Sequence, residues 1–453
     1  MSTSQKPKSV AVEMKEATTP YVEAFERWSA NGVSGDPSWL KERRAQAIAR
    51  FADQGFPTTR QEEWRFTDVK PIARTEFAPA ERQTVSQLDH LFLGGGDHYR
   101  AVFINGHFAK ELSSLAEIPD GVKIGSLKEA FETDAALIEE HLGCYAATER
   151  SALAALNTAF LGDGAFVYIP EKTVLERPVQ LLFLAVPSPG QSTVQYPRTL
   201  VIAGLESRGS VIENYTSEGR GIHWTNAVTE VVVGENAKLD TFRIQRESDQ
   251  AYHTAVTHSH QARDSVYSFV TFTFGAQLSR HDIYATIDGE GAECTLDGLS
   301  LLRDQQHADY HTTLEHAKPC CNSWEYFNGV FDDGAHGVFN GRIIVRPGAQ
   351  ITDSKQTNNN LLLSERARAD SQPQLEIYAD DVKCTHGATL GPIDDNHMFY
   401  LQSRGLSRAD ALAMLTYGFG SEILKVVSVE SLRLALDRLV HEWLSEATAA
   451  DSD

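Results

Sequence analysis

Cys384 and His386 are the pair whose types and spacing are best suited to chemistry. They sit near the end of residues 353–391, DSKQTNNNLLLSERARADSQPQLEIYADDVKCTHGATLG. Residues i and i+2 of a β-strand project from one face. A thiol and an imidazole would then stand side by side, a ligand pair suited to iron, zinc or a sulfur-carrying site. Asp380 and Asp381 lie just upstream, and Gly387 would admit close approach of another backbone. Two readings stay open on these residues alone. Val382 shares the parity of the pair, as packed inward residues would, whereas Lys383 and the aspartates give the polar surroundings of a working site.

Other candidates read more plainly. His223, His253, His281 and His311 recur about every thirty residues, and stacked rungs of sheet could set them in a row. Rungs stand about 4.8 Å apart, too far for four ligands on one ion, so packing is the expected role. Cys320 and Cys321 are neighbours that would face opposite ways, which makes shared metal binding awkward. Cys144 and Cys294 lie among apolar residues and read as small buried hydrophobes.

Absences narrow the chemistry. There is no Gly-Lys dipeptide and hence no P-loop, so no nucleotide is expected on this chain. Nucleotide-binding Gly-x-Gly-x-x-Gly, Gly-x-Ser-x-Gly and His-Glu-x-x-His patterns are missing too. With 41 Lys and Arg against 62 Asp and Glu, the net charge of −21 argues against nucleic acid or an anionic membrane as partner. Five cysteines without a Cys-x-x-Cys, a start lacking the apolar core of a signal peptide, and no membrane-length apolar run together predict a reducing, cytoplasmic setting.

Several elements must position the pair. Asp36 and Pro37 read as an N-cap and first helical residue of a helix that Gly55 and Pro57 close. A second helical patch spans 126–160, and between the two the residues from Ala101 to Gly106 read as a strand entering a tight turn. From about Phe166, short Val-, Ile-, Thr- and aromatic-rich runs are broken by Gly, Asp, Asn and Ser up to about 398. Their period of about thirty residues, with Gly-Ala turns at Gly291, Gly334 and Gly348, fits a β-helix with long rungs better than a propeller, with an irregular sandwich as competitor. Ser407 and Asp410 resemble a capping box, Gly418 and Gly420 interrupt, and Leu432, Leu436, Leu439, Val440 and Trp443 mark one face of a last helix. The expected division is a mainly helical region over 1–165, a β core over 166–397 and a helical region over 398–453.

The motifs taken together resemble a known family. Pro57-Thr58-Thr59 with Glu62-Glu63-Trp64-Arg65-Phe66-Thr67-Asp68, Leu156-Asn157-Thr158-Ala159-Phe160 followed by residues 164–179, the stretch 353–391, and Phe399-Tyr400-Leu401-Gln402-Ser403-Arg404-Gly405 are similar to the SufB/SufD family of iron–sulfur cluster assembly proteins, across nearly the whole chain. The resemblance implies a mainly β fold, a right-handed parallel β-helix flanked by helical regions. It implies a non-catalytic scaffold that pairs with a SufB-type paralogue through the β core and with a SufC-type ATPase through the C-terminal helices. A transient iron–sulfur cluster, or its iron and sulfide precursors, would be shared with the SufB-type partner, with His386 and Cys384 at that interface. The SufD-like branch fits better than the SufB-like one, because Gly387 stands where SufB carries a Glu of the site and an N-terminal Cys cluster is missing. Three alternatives stay open: an architectural partner without metal, a β-helix enzyme acting on acidic polysaccharide, and a homodimer when the paralogue is absent.

Overall fold

The computed structural model describes residues 10–32, 35–146 and 148–450; residues 1–9, on which part of the signal-peptide reading rests, lie outside them. Its centre is a parallel β-solenoid of about 8 turns, with helices at both ends of the chain. Successive strands alternate between two sheets. Arg198–Ala203, His223–Val233, Ala251–Gln261, Leu278–Ile287, His307–His316, His336–Val345 and Arg368–Ile377 follow one another in the first. Arg208–Ser217, Lys238–Arg246, Val266–Thr273, Glu293–Leu302, Asn322–Phe331, Thr352–Leu362 and Val382–Gly391 follow in the second. Ala165–Ile169 and Val179–Ala185 make the first turn, and Tyr99–Ile104 extends the second sheet beyond it. Asn105 and Gly106, both left-handed, turn Tyr99–Ile104 back onto His107–Phe108, as the sequence predicts.

A repeating turn keeps the rungs in step. Lys172, Glu206, Asn236, Asp264, Gly291, Cys320 and Ile351 all take positive φ. Each donates its N–H to a carbonyl of the next turn, from Lys172 to Leu205 at 2.7 Å through Asn236 to Arg263 at 2.9 Å to Ile351 to Asp381 at 2.6 Å. The residue after each, from Glu206 onward, is small and buried: Ser207, Ala237, Ser265, Ala292, Cys321 and Thr352. The Cys320–Cys321 neighbours are one instance of this pattern, the first exposed and the second buried. Gly-Ala at Gly291 is another, so part of the repeat legible in the sequence is turn chemistry.

Alternation then sorts the side chains. One face of each strand points into a lumen filled by Val201, Val231, Phe269, Ile283, Leu296, Leu314, Phe327 and Phe339. The outer face of the first sheet is covered by the N-terminal helices, where Tyr21 and Phe56 meet Trp224 in edge-on and tilted contacts and Phe51 packs edge-on against Tyr21. The outer face of the second is covered by Arg408–Leu424 and Glu430–Ala450, whose Ile423, Leu432, Leu436, Val440 and Trp443 pack on Phe242, Phe272, Leu299 and Val330. Each of those apolar side chains contributes about 1.5–3 kcal/mol by leaving water.

Some local details differ from the sequence reading. Pro37, not Asp36, occupies the N-cap of Ser38–Gln54, and the Asp36 carboxylate instead pairs with the buried Arg44 at 2.5 Å. A buried guanidinium needs that charge more than the helix end needs a cap. The patch 126–160 is three short helices, Leu127–Thr133, Ala135–His141 and Ala152–Ala159. Gly418 and Gly420 do not interrupt their helix; Gly420 is buried, and a Cβ there would only touch Leu299. Ser407 does cap it, accepting the Asp410 N–H at 3.0 Å.

Candidate functional site

Val382–Gly391 is the final rung. It pairs with Thr352–Leu362 on one side and presents a free edge on the other, as does Arg368–Ile377 at the end of the first sheet. Register sets Cys384 opposite Ser354 and His386 opposite Gln356. Ser354, Gln356 and Asn358 are at most 2% exposed and face the lumen, so Cys384 and His386 face it as well. Among the described residues no rung follows to cover them. A lumen-facing position at an open end is also an accessible one: Cys384 is half-buried and His386 exposed. The inward parity suggested by Val382 is what the fold shows, and solvent still reaches the pair.

The surroundings of the pair differ at its two members. Cys384 borders Ile343, Val345, Leu375 and Ala379. Burial pushes its thiol up, and the Asp353 carboxylate adds to the shift, so the thiol keeps its proton near neutrality. Gly387 has the opposite parity and projects to the other face, where a Cβ would meet nothing within 4 Å. Asp381 serves the turn, its N–H donating to Gln350 at 2.9 Å and its carbonyl accepting from Ile351. Among the described residues, no three His, Cys, Asp or Glu side chains gather as a metal site. An ion held by Cys384 and His386 needs its remaining ligands from elsewhere.

Behind the open end the lumen carries polar groups that sequence reasoning passed over. Leu296, Glu325, Gln356 and His386 occupy consecutive rungs of one column. Glu325 is buried and receives the Gln356 amide, and burial pushes its carboxyl up to about 7. Ser354 bonds Ser323 at 2.7 Å, and Asn358 donates to the Phe327 carbonyl at 3.1 Å. The signal was available in the sequence. Ser354, Gln356, Asn358 and Asn360 alternate in a strand, so a polar stripe must face one way.

The four repeated histidines are not in a row. Thr225 opposes His253, Ala255 opposes His281 and Asp282 opposes His311. The first three point inward onto one buried network. Glu247 accepts from Thr225 at 2.5 Å and from His253 at 2.5 Å, and lies 3.7 Å from His223. Arg243 bridges His253 and His281, and Thr257 meets the far nitrogen of His281 at 2.8 Å. Burial drives His281 well down and Arg243 adds to it, so its ring is neutral. His311 points outward and joins Asp309 at 3.1 Å. The repeat marks packing and polar satisfaction, as expected. Cys294 is buried as expected, but Cys144 is exposed on a turn and not a core residue.

The remaining motifs hold the frame. Arg280, 2% exposed, lies 3.7 Å over the Trp64 ring, pairs with Asp282 and Asp309, and donates to the Glu63 carbonyl at 2.7 Å. Thr67 donates to Asp309 at 2.5 Å. The run 62–68 thereby clamps the N-terminal region to the outer face of the first sheet. Asn157, fully buried, donates to the Pro197 and Asn226 carbonyls. Phe399 and Tyr400 do the opposite: they stand 73% and 56% exposed on Asp395–Ser403, with Met414 exposed on the next helix.

Comparison with known proteins agrees over the same span. Residues 186–419 match the family model described as SUF system FeS cluster assembly, SufBD core domain, and residues 15–181 match the SufBD protein N-terminal region. The chain is 33% identical to an iron–sulfur cluster assembly SufBD family protein of Synechocystis, over 90% of this chain and 92% of that one. It is 29% identical to the iron–sulfur cluster assembly protein SufD of Escherichia coli, over 90% and 94% of the two chains. Identity to the SufD of Bacillus subtilis is 25%, over 88% and 93%. A core-domain match over more than half the chain, carrying the two-sheet solenoid and its open last rung, places the chain in the SufBD family of iron–sulfur cluster assembly proteins.

Proposed function

We propose that this chain is a non-catalytic scaffold subunit for iron–sulfur cluster assembly, SufD-like in role, and that Cys384 and His386 are half of a site completed by a second subunit. The observation that carries the reading is the open last rung, which presents a thiol and an imidazole on one lumen-facing side of a strand whose other edge is unpaired. A free strand edge is a template for another chain. A SufB-type paralogue pairing there would cover both residues and bring the missing ligands. Thiolate and imidazole both ligate cluster iron. Nascent iron and sulfide would be cargo shared across that interface. Exposed Phe399, Tyr400 and Met414 on the C-terminal helices would meet a SufC-type ATPase, which would supply the nucleotide chemistry that this chain's sequence gives no means to perform. Without the paralogue, the same edges would pair two copies of this chain. The proposed setting is the cytoplasm; no helix among the described residues is long and apolar enough to cross a membrane.

The test is anaerobic reconstitution with the two partner types. His386→Ala should leave the complex assembled and abolish cluster formation, while Cys384→Ser should lower it. A fully active His386→Ala complex would overturn the site. A purely architectural role is the second reading, favoured by the lack of a third ligand among the described residues. Iron content of the complex that does not change when both residues are replaced would select it.

A further inference from the structure

Gln356 is left with a polar atom that no neighbour satisfies. It is 1% exposed, its amide nitrogen donates to Glu325, and its amide oxygen has no partner. Buried acceptors are nearly always paired, so an orphan one rung below an open site calls for a partner. The lumen is shaped around this amide: Gly341 lies across from it, and a Cβ there would overlap the amide.

Two neighbouring lumen side chains are already engaged, while Glu325 keeps its second carboxyl oxygen without a hydrogen-bond partner. Ser354 bonds Ser323, and Asn358 uses its nitrogen on Phe327 and its oxygen on Asn360. Glu325 stands two rungs from His386 in the column, about 10 Å away, and cannot share an ion with it. It acts only through the amide, by holding the nitrogen end. His386 has the complementary need. An imidazole that gives a lone pair to a metal carries its proton on the other nitrogen, and whatever accepts that N–H decides which nitrogen is free.

We propose that Gln356 is a positioning residue for His386, its amide oxygen accepting one imidazole N–H so that the other nitrogen faces the open end as a ligand. The proposal rests on reading His386 as an iron ligand. It assigns the polar column Glu325–Gln356–His386 a single task, fixing the tautomer of its last member.

The experiment uses the full apo chain with ¹⁵N-labelled histidine, at about pH 8. His386 ring signals are assigned by their loss in His386→Ala. The wild type should show one tautomer; Gln356→Met should show both. Anaerobic Fe(II) binding by the chain with its SufB-type partner should weaken about tenfold or more in Gln356→Met. Glu325→Leu with Gln356→Met removes donor and acceptor together, which guards against a misfolded single variant, and should behave alike. Unchanged tautomer signals in both variants would overturn the proposal whatever the iron does. Unchanged Fe(II) binding in His386→Ala would instead overturn the ligand reading, and the tautomer signals would still decide the role of Gln356.

Discussion

At the scale of residues, the proposed site depends on a protonation state that the chain sets against its own proposed ligand. Burial raises the Cys384 thiol, and the Asp353 carboxylate one rung below raises it further. The thiolate that would bind iron is therefore the minor form until a cation arrives. Replacing Asp353 by Asn removes the negative charge, so the Cys384 pKa falls and its thiolate fraction near pH 7.5 rises. Alkylation of Cys384 by iodoacetamide, followed by mass spectrometry, should speed up several-fold in Asp353→Asn. An unchanged rate would mean that burial alone sets the thiol. His386 stands exposed at the rim, where Cys384 is half-buried. That contrast is why the imidazole is the stronger candidate for first contact with iron. Parity made the pair legible in the sequence, because i and i+2 must share a face. Its accessibility was not legible. Whether an inward residue is covered depends on whether another rung follows, and only the fold states that Val382–Gly391 is the last.

At the scale of elements, turns do the work that sequence reading credits to strands. The left-handed turn residue suits Asn236, Asp264 and Gly291, whose types tolerate positive φ, but it falls on Ile351 as well, at φ 59. A β-branched side chain there is strained, and Ile351 is 60% exposed, so its burial does little to offset the strain. Ile351→Asn should stabilise the chain by about 1 kcal/mol, read as a rise in the urea midpoint at constant slope. A loss of stability would show that the Ile351 side chain contributes packing outweighing its backbone. This turn leads directly into the strand below the site, so the same variant tests whether strain there matters to cluster yield. The repeat period and the flanking helices could be read from patterning alone. The register between rungs could not: a period of about thirty residues tolerates slips of one or two. Thr225 opposing His253, with His223 two residues off, is one such slip. It turned an imagined histidine ladder into a network around Glu247 and Arg243.

At the scale of the whole molecule, the lumen and the covered faces bury titratable groups of both kinds, and their pH dependences oppose. His258, His307 and His316 are each driven down to about 4, chiefly by burial. Unfolded, they take up protons below about pH 6.5, so folding stability falls as pH drops from 6.5 toward 4. Asp297 and Glu325 are each pushed up to about 7, chiefly by burial, with Glu325 adding to Asp297. Unfolded, they ionise near pH 4, so their contribution falls as pH rises from about 4 to 7. Between pH 4.5 and 6.5 three histidine terms outweigh two carboxyl terms, and stability rises with pH by about 1.4 kcal/mol per unit from these groups. Above 6.5 the histidine terms are complete and only the carboxyl terms continue, so stability peaks near pH 6.5. Urea unfolding of the wild type across pH 4.5–7.5 should show that maximum. In Asp297→Asn with Glu325→Gln the descending limb should vanish and the rise below pH 6.5 should steepen. A wild-type curve still rising at pH 7.5, or a variant curve parallel to the wild type, would mean that the two carboxyls are ionised in the fold and that Glu325 meets the Gln356 amide as a carboxylate.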